Sequence, residues 1–188
     1  MRTDPDHDPV LAPLAAGTIL KMPESDCLTI LLLHDRWASE QLLGECAKLS
    51  EEQFHQRFEI GSGSLHDTLT HIVGAMRAWT ETLAAMEPRP RLEADGQRRT
   101  AQQLLGLLAE AWRDCEAEAR RRPLVEMATR RLRDGRTVQM TRGAIITHVA
   151  THGMHHRAQC LNMLRQLGVK PLPASSVTEW TLMGETRK

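Results

Sequence analysis

His148-Val-Ala-Thr-His152-Gly-Met-His155-His156-Arg157-Ala-Gln159 is the stretch that decides how this 188-residue chain is read. From His148 to His156, nine residues hold four of the protein's nine histidines. His148, His152 and His156 repeat at intervals of four. A helix turns about 100° per residue, so each step of four drifts by only about 40° and the three imidazoles line one face. His155 falls on its flank. Two histidines at i and i+4 can hold one metal ion from a single helix, because their side chains meet one turn apart and neutral imidazole is a common metal ligand. The same spacing also suits hydrogen-bonded surface histidines. A third ligand from elsewhere in the chain decides between the two.

The histidine repeat lies inside a longer helical segment that starts near Thr141 and runs to Leu167, where Gly168 supplies a stop. Three further segments carry apolar residues at helical spacing. The first runs from about Ser25 to Lys48 through Leu28, Leu31, Leu32, Trp37, Leu42, Leu43 and Cys46, with Ser25 or Asp26 as its N-cap. A short turn-like segment from Ser50 to Phe54 and the flexible Gly61-Ser-Gly-Ser64 lead to the second, about 65 to 86. There Ser64 and Asp67 resemble a capping box, and Leu69, Ile72, Val73 and Met76 belong to the apolar stripe. Pro88 and Pro90 end it. After a polar connection Thr100 caps the third segment, 101 to 121, and Pro123 stops that one.

Between the third and fourth helices, Asp134-Gly135 is a turn dipeptide flanked by Thr129 to Arg133 and Thr137 to Met140, which predicts a small β-hairpin. The expected architecture is all-α, a four-helix bundle over residues 25–168 with this hairpin. An N-terminal arm, 1–24, precedes it, and a C-terminal tail, 169–188, packs on it through Trp180, Leu182 and Met183. Helices of about 23 residues are roughly 35 Å long, and the linkers after the second and third can span that length, so a simple up-and-down order is not forced.

Lys plus Arg and Asp plus Glu both number 24, which gives none of the global basic excess of a nucleic-acid binder. Cys27, Cys46, Cys115 and Cys160 are far apart and form no Cys-x-x-Cys pair, so they read as buried thiols in a reducing compartment, the cytoplasm. Residues 10–20 follow an acidic run, Asp4, Asp6 and Asp8, and contain Pro13, a poor match to a signal peptide. No apolar run approaches the roughly eighteen residues of a membrane span.

The candidates for a third ligand are His7 in the arm, His34 in the first helix, His55 in a connection, His66 in the first turn of the second helix, and His71. His71 lies at mid-depth beside the apolar stripe. Taken alone it reads as a satisfied core histidine; facing His152 and His156 it completes a three-imidazole site with at least one position left open. Gly153 follows His152 where zinc proteases of the His-Glu-x-x-His type carry their glutamate base, so that chemistry is excluded here. A glycine inside a helix costs about 1 kcal/mol and permits close packing or ligand approach.

His34-Asp-Arg-Trp37-Ala38, Ser64-Leu-His-Asp-Thr-Leu-Thr-His71-Ile72 with Arg77-Ala-Trp79, and His148 to Gln159 together resemble the motifs of the DinB/YfiT-like superfamily over roughly residues 28 to 168. The resemblance implies a four-helix bundle of non-sequential helix order, a homodimer, and a divalent metal held by His71, His152 and His156. The chain departs from the family's His-Arg-Gly-Gln ending at Ala158, and carries His34 and His155 where Tyr is frequent.

Family members with assigned activities are thiol-dependent transferases and isomerases. The resemblance therefore implies a metal-dependent enzyme of the thiol S-transferase type, acting on a small molecule with a low-molecular-weight thiol. The open three-histidine site suits it, since a metal lowers a thiol's pKa. A hydrolase using metal-activated water and a non-catalytic, stress-associated metal-binding dimer are the alternatives. Zinc or nickel is the expected metal, with iron also compatible with imidazole. His148, His155 and Gln159 are candidates to orient His152 or His156 by hydrogen bonds, and are equally readable as polar residues on a helix flank. His34 and Trp37 are candidates to shape a pocket. Arg157 either binds a carboxylate of the thiol or faces an acidic neighbour, the second being the preferred reading.

Overall fold

Helix α1 (Cys27–Cys46) begins where Asp26 accepts a hydrogen bond from the Thr29 amide at 2.9 Å, satisfying one of the amides that a helix start leaves orphaned. The computed structural model of the protein describes residues 26–132 and 134–184, so the expected arm, 1–24, with His7, and the candidate cap Ser25 lie outside the described residues. Beyond Cys46 the chain tightens, with Lys48 and Leu49 donating to Glu45 and Cys46, three residues back.

The segment after it is more ordered than the turn expected there. It forms the short helix α2 (Glu51–His55), closed by a capping box between Ser50 and Gln53. Helix α3 (Leu65–Leu83) starts on Ser64, which accepts from the Asp67 amide at 3.0 Å. It stops three residues before the expected 86, because Ala85 takes a left-handed backbone, φ 53°, that no helix continues. A 3-10 turn, Leu92–Ala94, lies within the polar connection expected there. Helix α4 (Ala101–Arg121) opens with a Thr100–Gln103 capping box.

The Asp134-Gly135 turn joins β1 (Met127–Arg131) to β2 (Thr137–Thr141) as an antiparallel hairpin with Thr129 opposite Gln139. Gly135 supplies the positive φ, 84°, that the turn requires. Thr141 then caps helix α5 (Arg142–Gln166). A last helix, α6 (Val177–Gly184), packs on α1.

Each of α1 and α3 packs against both α4 and α5. The long helices therefore run around the bundle as α1, α4, α3, α5, and consecutive helices α1 and α3 occupy opposite corners. The long connection containing α2 makes that diagonal crossing affordable in length. Leu42, Leu69, Leu104, Ile146 and Met163 meet in the centre, none more than 2% exposed. Each such side chain contributes about 1.5–3 kcal/mol by leaving water. Arg142 fastens the far end of α3, donating from Nη1 to the Leu83 carbonyl. Among the described residues no helix is long and apolar enough to cross a membrane.

Candidate metal centre

The side-by-side packing of α3 and α5 puts His71 opposite His152 and His156, and ring nitrogens of all three lie within 4.8 Å of one another. His152 Nε2 is 3.2 Å from His71 Nε2 and 3.2 Å from His156 Nε2. The opposite ring nitrogens are already used. His71 Nδ1 donates to Glu93 Oε1 at 2.8 Å, and His156 Nδ1 donates to Gln159 Oε1 at 2.8 Å.

Those outer bonds fix the tautomers. A carboxylate and an amide oxygen only accept, so the protons of the neutral rings sit on Nδ1 of His71 and His156 and the lone pairs sit on Nε2. Both lone pairs face His152 Nε2, which carries at most one proton and can satisfy at most one of them. A cation among the three nitrogens relieves this. Nitrogens sharing a metal at about 2.0–2.1 Å stand roughly 2.8–3.0 Å apart in octahedral and roughly 3.3–3.4 Å apart in tetrahedral geometry, a range that brackets the two 3.2 Å separations. The residues present thus fit a divalent transition metal. Among the described residues no fourth His, Cys, Asp or Glu joins the group.

Electrostatics favour the neutral form, the one a metal needs, at His152 and His156. Burial lowers His152 to about 4, helped by His156, His71 and His148. Burial also lowers His156, although its bond to Gln159 works the other way. Partial burial pushes the Glu93 carboxyl up, but the bond from His71, a backbone hydrogen bond and the nearby positive charge of Arg91 together outweigh it, leaving the group below its ordinary value.

Glu93 was not visible in the sequence. It sits on the 3-10 turn, 22 residues after His71, and no periodicity links the two. The one trace is Gly74, buried in the middle of α3: a Cβ there would lie 2.7 Å from Glu93 Oε2. Gly74 makes room for the carboxylate that holds His71.

Of the residues the sequence put forward, Gln159 touches His156 directly, and His155 touches Gln159, accepting from its Nε2 at 3.0 Å. His148 meets the site through rings, 5.3 Å from His152 and edge-on to Trp79 at 4.9 Å. Arg157 faces away from the three histidines. Its Nη1 donates to Asp35 at 2.6 Å and to Ser39 Oγ at 3.0 Å, all of it buried. Gly153 serves this pair, since a Cβ there would meet Asp35 Oδ1 at 2.8 Å. His34 donates to the Ser175 carbonyl at 3.0 Å and lies between Trp37 and Trp180, so these residues tie α1 to the tail. His66 accepts from the Arg99 amide and bonds Asp67 with its other nitrogen, and His55 stacks on it. Neither joins the cluster.

A cleft of about 570 Å³ opens against His71 and Glu93 and is walled by Thr70, Arg57 and Arg98. No curated protein matches this sequence. The model of the DinB family matches residues 22–187, a span that takes in the whole bundle, the three histidines and their partners, and on that match the chain belongs to the DinB family.

Proposed function

We propose that the protein is a metal-dependent enzyme of the thiol S-transferase type, with a divalent metal, zinc or nickel, at His71, His152 and His156. The observation that carries this reading is a set of three converging imidazole nitrogens with no fourth protein ligand among the described residues. An open position of that kind distinguishes catalytic from structural sites. When bound, the metal supplies the charge that lowers the pKa of a small thiol and keeps it ionised.

The chain's own residues do the rest. Glu93 and Gln159 hold His71 and His156 in the right tautomer and orientation. The cleft against His71 admits the electrophile. The thiol sulfur forms a bond to the electrophilic carbon, the leaving group departs with its electron pair, and the thiol proton passes to solvent.

The nucleophile comes from outside the chain in this reading. Burial pushes the Cys46 thiol up to about 12 and the Cys115 thiol up to about 11, and raises Cys160 as well, so these three stay protonated; Cys27, expected to be buried with them, is instead exposed at the start of α1. The low-molecular-weight thiol fills that role, and the working form is a cytoplasmic homodimer.

The test has two arms. Elemental analysis of protein purified without a nickel column should find close to one divalent metal per chain. The metal-loaded protein, mixed with an alkylating electrophile with and without each of several bacterial thiols, should give product only with thiol. Product formed equally without thiol makes the protein a hydrolase. No product under any condition leaves a metal-binding protein without turnover and ends the transferase reading.

A further inference from the structure

Between α3 and the β-hairpin lies a second cleft, of about 910 Å³, lined by five arginines against two glutamates. Its arginines differ in what holds them. Arg89 is matched by Glu81, 2.5 Å away, which cancels one glutamate. Arg130 lies over Trp79, its guanidinium carbon 4.0 Å from the ring centroid, and donates to the Ala78 carbonyl and Thr82 Oγ1. That cation is preorganised on the cleft wall. Arg77, Arg91 and Arg131 also line the cleft, and none of them forms an ion pair among the described residues. Glu87 is the one lining carboxylate without an arginine partner.

The wall of the cleft adjoins residues that surround the metal centre. Gly74, one turn along α3 from His71 and so roughly 4.5 Å further along the axis, lines the cleft and carries the Glu93 carboxylate on its other side. Trp79 lines it too, with Arg130 on one side of its ring and His148 against its edge. Leu92 borders both this cleft and the one against His71.

We propose that this arginine cleft binds the oxyanion groups, carboxylate or phosphate, of a small polyanionic substrate whose other end reaches the three histidines. Guanidinium forks match such groups bidentately, and unpaired ones in a concave site focus field on an anion. The volume suits one small molecule. A nucleic acid is the wrong size of partner: the charge is confined to one concavity in a chain of no net charge. The inference deepens the transferase reading by giving its substrate a class, and rests on that reading only for the position of the reacting end.

The test measures binding to the full-length protein by calorimetry and by the shift of the Trp79 indole signal. The probes are tricarballylate, inorganic phosphate and the uncharged triamide of tricarballylate. A saturable response to tricarballylate is expected, weakened about tenfold in Arg91→Gln and in Arg131→Gln, the loss of one charged hydrogen bond each, and weakened by added salt. Saturation by phosphate alone supports the cleft and assigns it the phosphate class. Arg113→Gln, an exposed arginine on α4, should change nothing, and the triamide should be silent.

His152→Ala separates this proposal from the metal reading. Anion binding that survives in that variant belongs to the cleft whether or not the protein holds metal, and binding that disappears with it belongs to the metal and overturns the proposal. Absence of saturation by either anion, unchanged affinity in both arginine variants, or equal binding of the triamide overturns it as well. Neither Arg91 nor Arg131 is in an ion pair among the described residues, so both variants should keep the wild-type unfolding midpoint.

Discussion

Helix α5 makes two polar crossings with adjacent residues, and they are opposites. Toward α3 it presents His152 and His156, half-buried, with lone pairs aimed at a common point that no described side chain fills. Toward α1 it presents Arg157, whose side chain and that of Asp35 are 4% and 5% exposed and which bonds Asp35 and Ser39. Both crossings put polar groups between helices. The difference lies in closure: the arginine crossing is complete with its own partners, whereas the histidine crossing leaves at least one ring acceptor without a donor among the described residues. Burial of polar groups alone therefore says little about function here. A set of acceptors that face one another with too few donors among them says much more.

The largest effect should come from the open crossing. His152→Ala removes the nitrogen that both other rings face and should leave the purified protein without metal by elemental analysis, as should His71→Ala and His156→Ala. His155→Ala, which meets the site through Gln159 and by ring contact with His156, should retain it. The metal-free unfolding midpoint should barely move in any of the four, because none is part of the closed core. Full metal retention in His152→Ala would refute the site.

The closed crossing should behave the other way round. Arg157→Ala leaves the Asp35 carboxylate buried without its partner, and breaking such a pair costs about 3–5 kcal/mol. Urea unfolding should show a lower midpoint with an unchanged slope, while the folded fraction still binds metal. Burial already pushes the Asp35 carboxyl up against the pull of Arg157, so the variant's carboxyl should protonate more readily. A loss below about 1 kcal/mol would mean that water reaches this pair and that the contrast between the crossings is false.

Next in size is the support beneath the open site. Glu93→Ala removes the acceptor that fixes the His71 tautomer, and losses of such partners lower metal affinity about 10- to 100-fold. Competition with a chromophoric chelator reads this directly. Glu93→Gln keeps an acceptor oxygen and should fall between wild type and Ala. Equal affinity in all three proteins would reduce Glu93 to a bystander.

What the sequence made legible follows from range. The bundle and its hairpin were readable because each long helix carries its own apolar spacing, its cap (Ser64, Thr100, Thr141) and its stop, all local signals. Helix α2 was missed although its box, Ser50 with Gln53, is as local as the others; five residues are too few to show a period. The histidine set was legible in part because two members share a helix. Glu93 and Asp35 were not, since each matters only through a residue far along the chain, 22 positions away for one and 122 for the other. The glycines at 74 and 153 were the nearest thing to a signal, since a Cβ at either would crowd a side chain, but Gly44 and Gly106 lie in helices with open space around them, so a helical glycine alone does not mark such a place.

Gly153→Ala is the smallest change and the sharpest probe of how independent the two crossings are. It lies between His152 and Met154 on the same turn as the open site, yet its missing Cβ faces the closed one. A Cβ would stand 2.8 Å from Asp35 Oδ1 and 2.9 Å from Arg157 Nη1, both closer than real Cβ contacts allow. Overpacking of this kind costs about 1–3 kcal/mol, and replacing a mid-helix glycine by alanine returns about 1 kcal/mol, so a net loss of up to about 2 kcal/mol is expected. The crowding can be relieved in two ways. If Arg157 and Asp35 shift locally, the urea midpoint falls and metal affinity stays at the wild-type value. If α5 instead moves away from α1, His152 and His156 move with it, and metal affinity falls in step with stability. The first result is expected, because the side chains concerned are long or hinged at Cβ while α5 is held along its length by α1 and α3. The second would show that the closed crossing sets the geometry of the open one, and that the two regions work as a single unit.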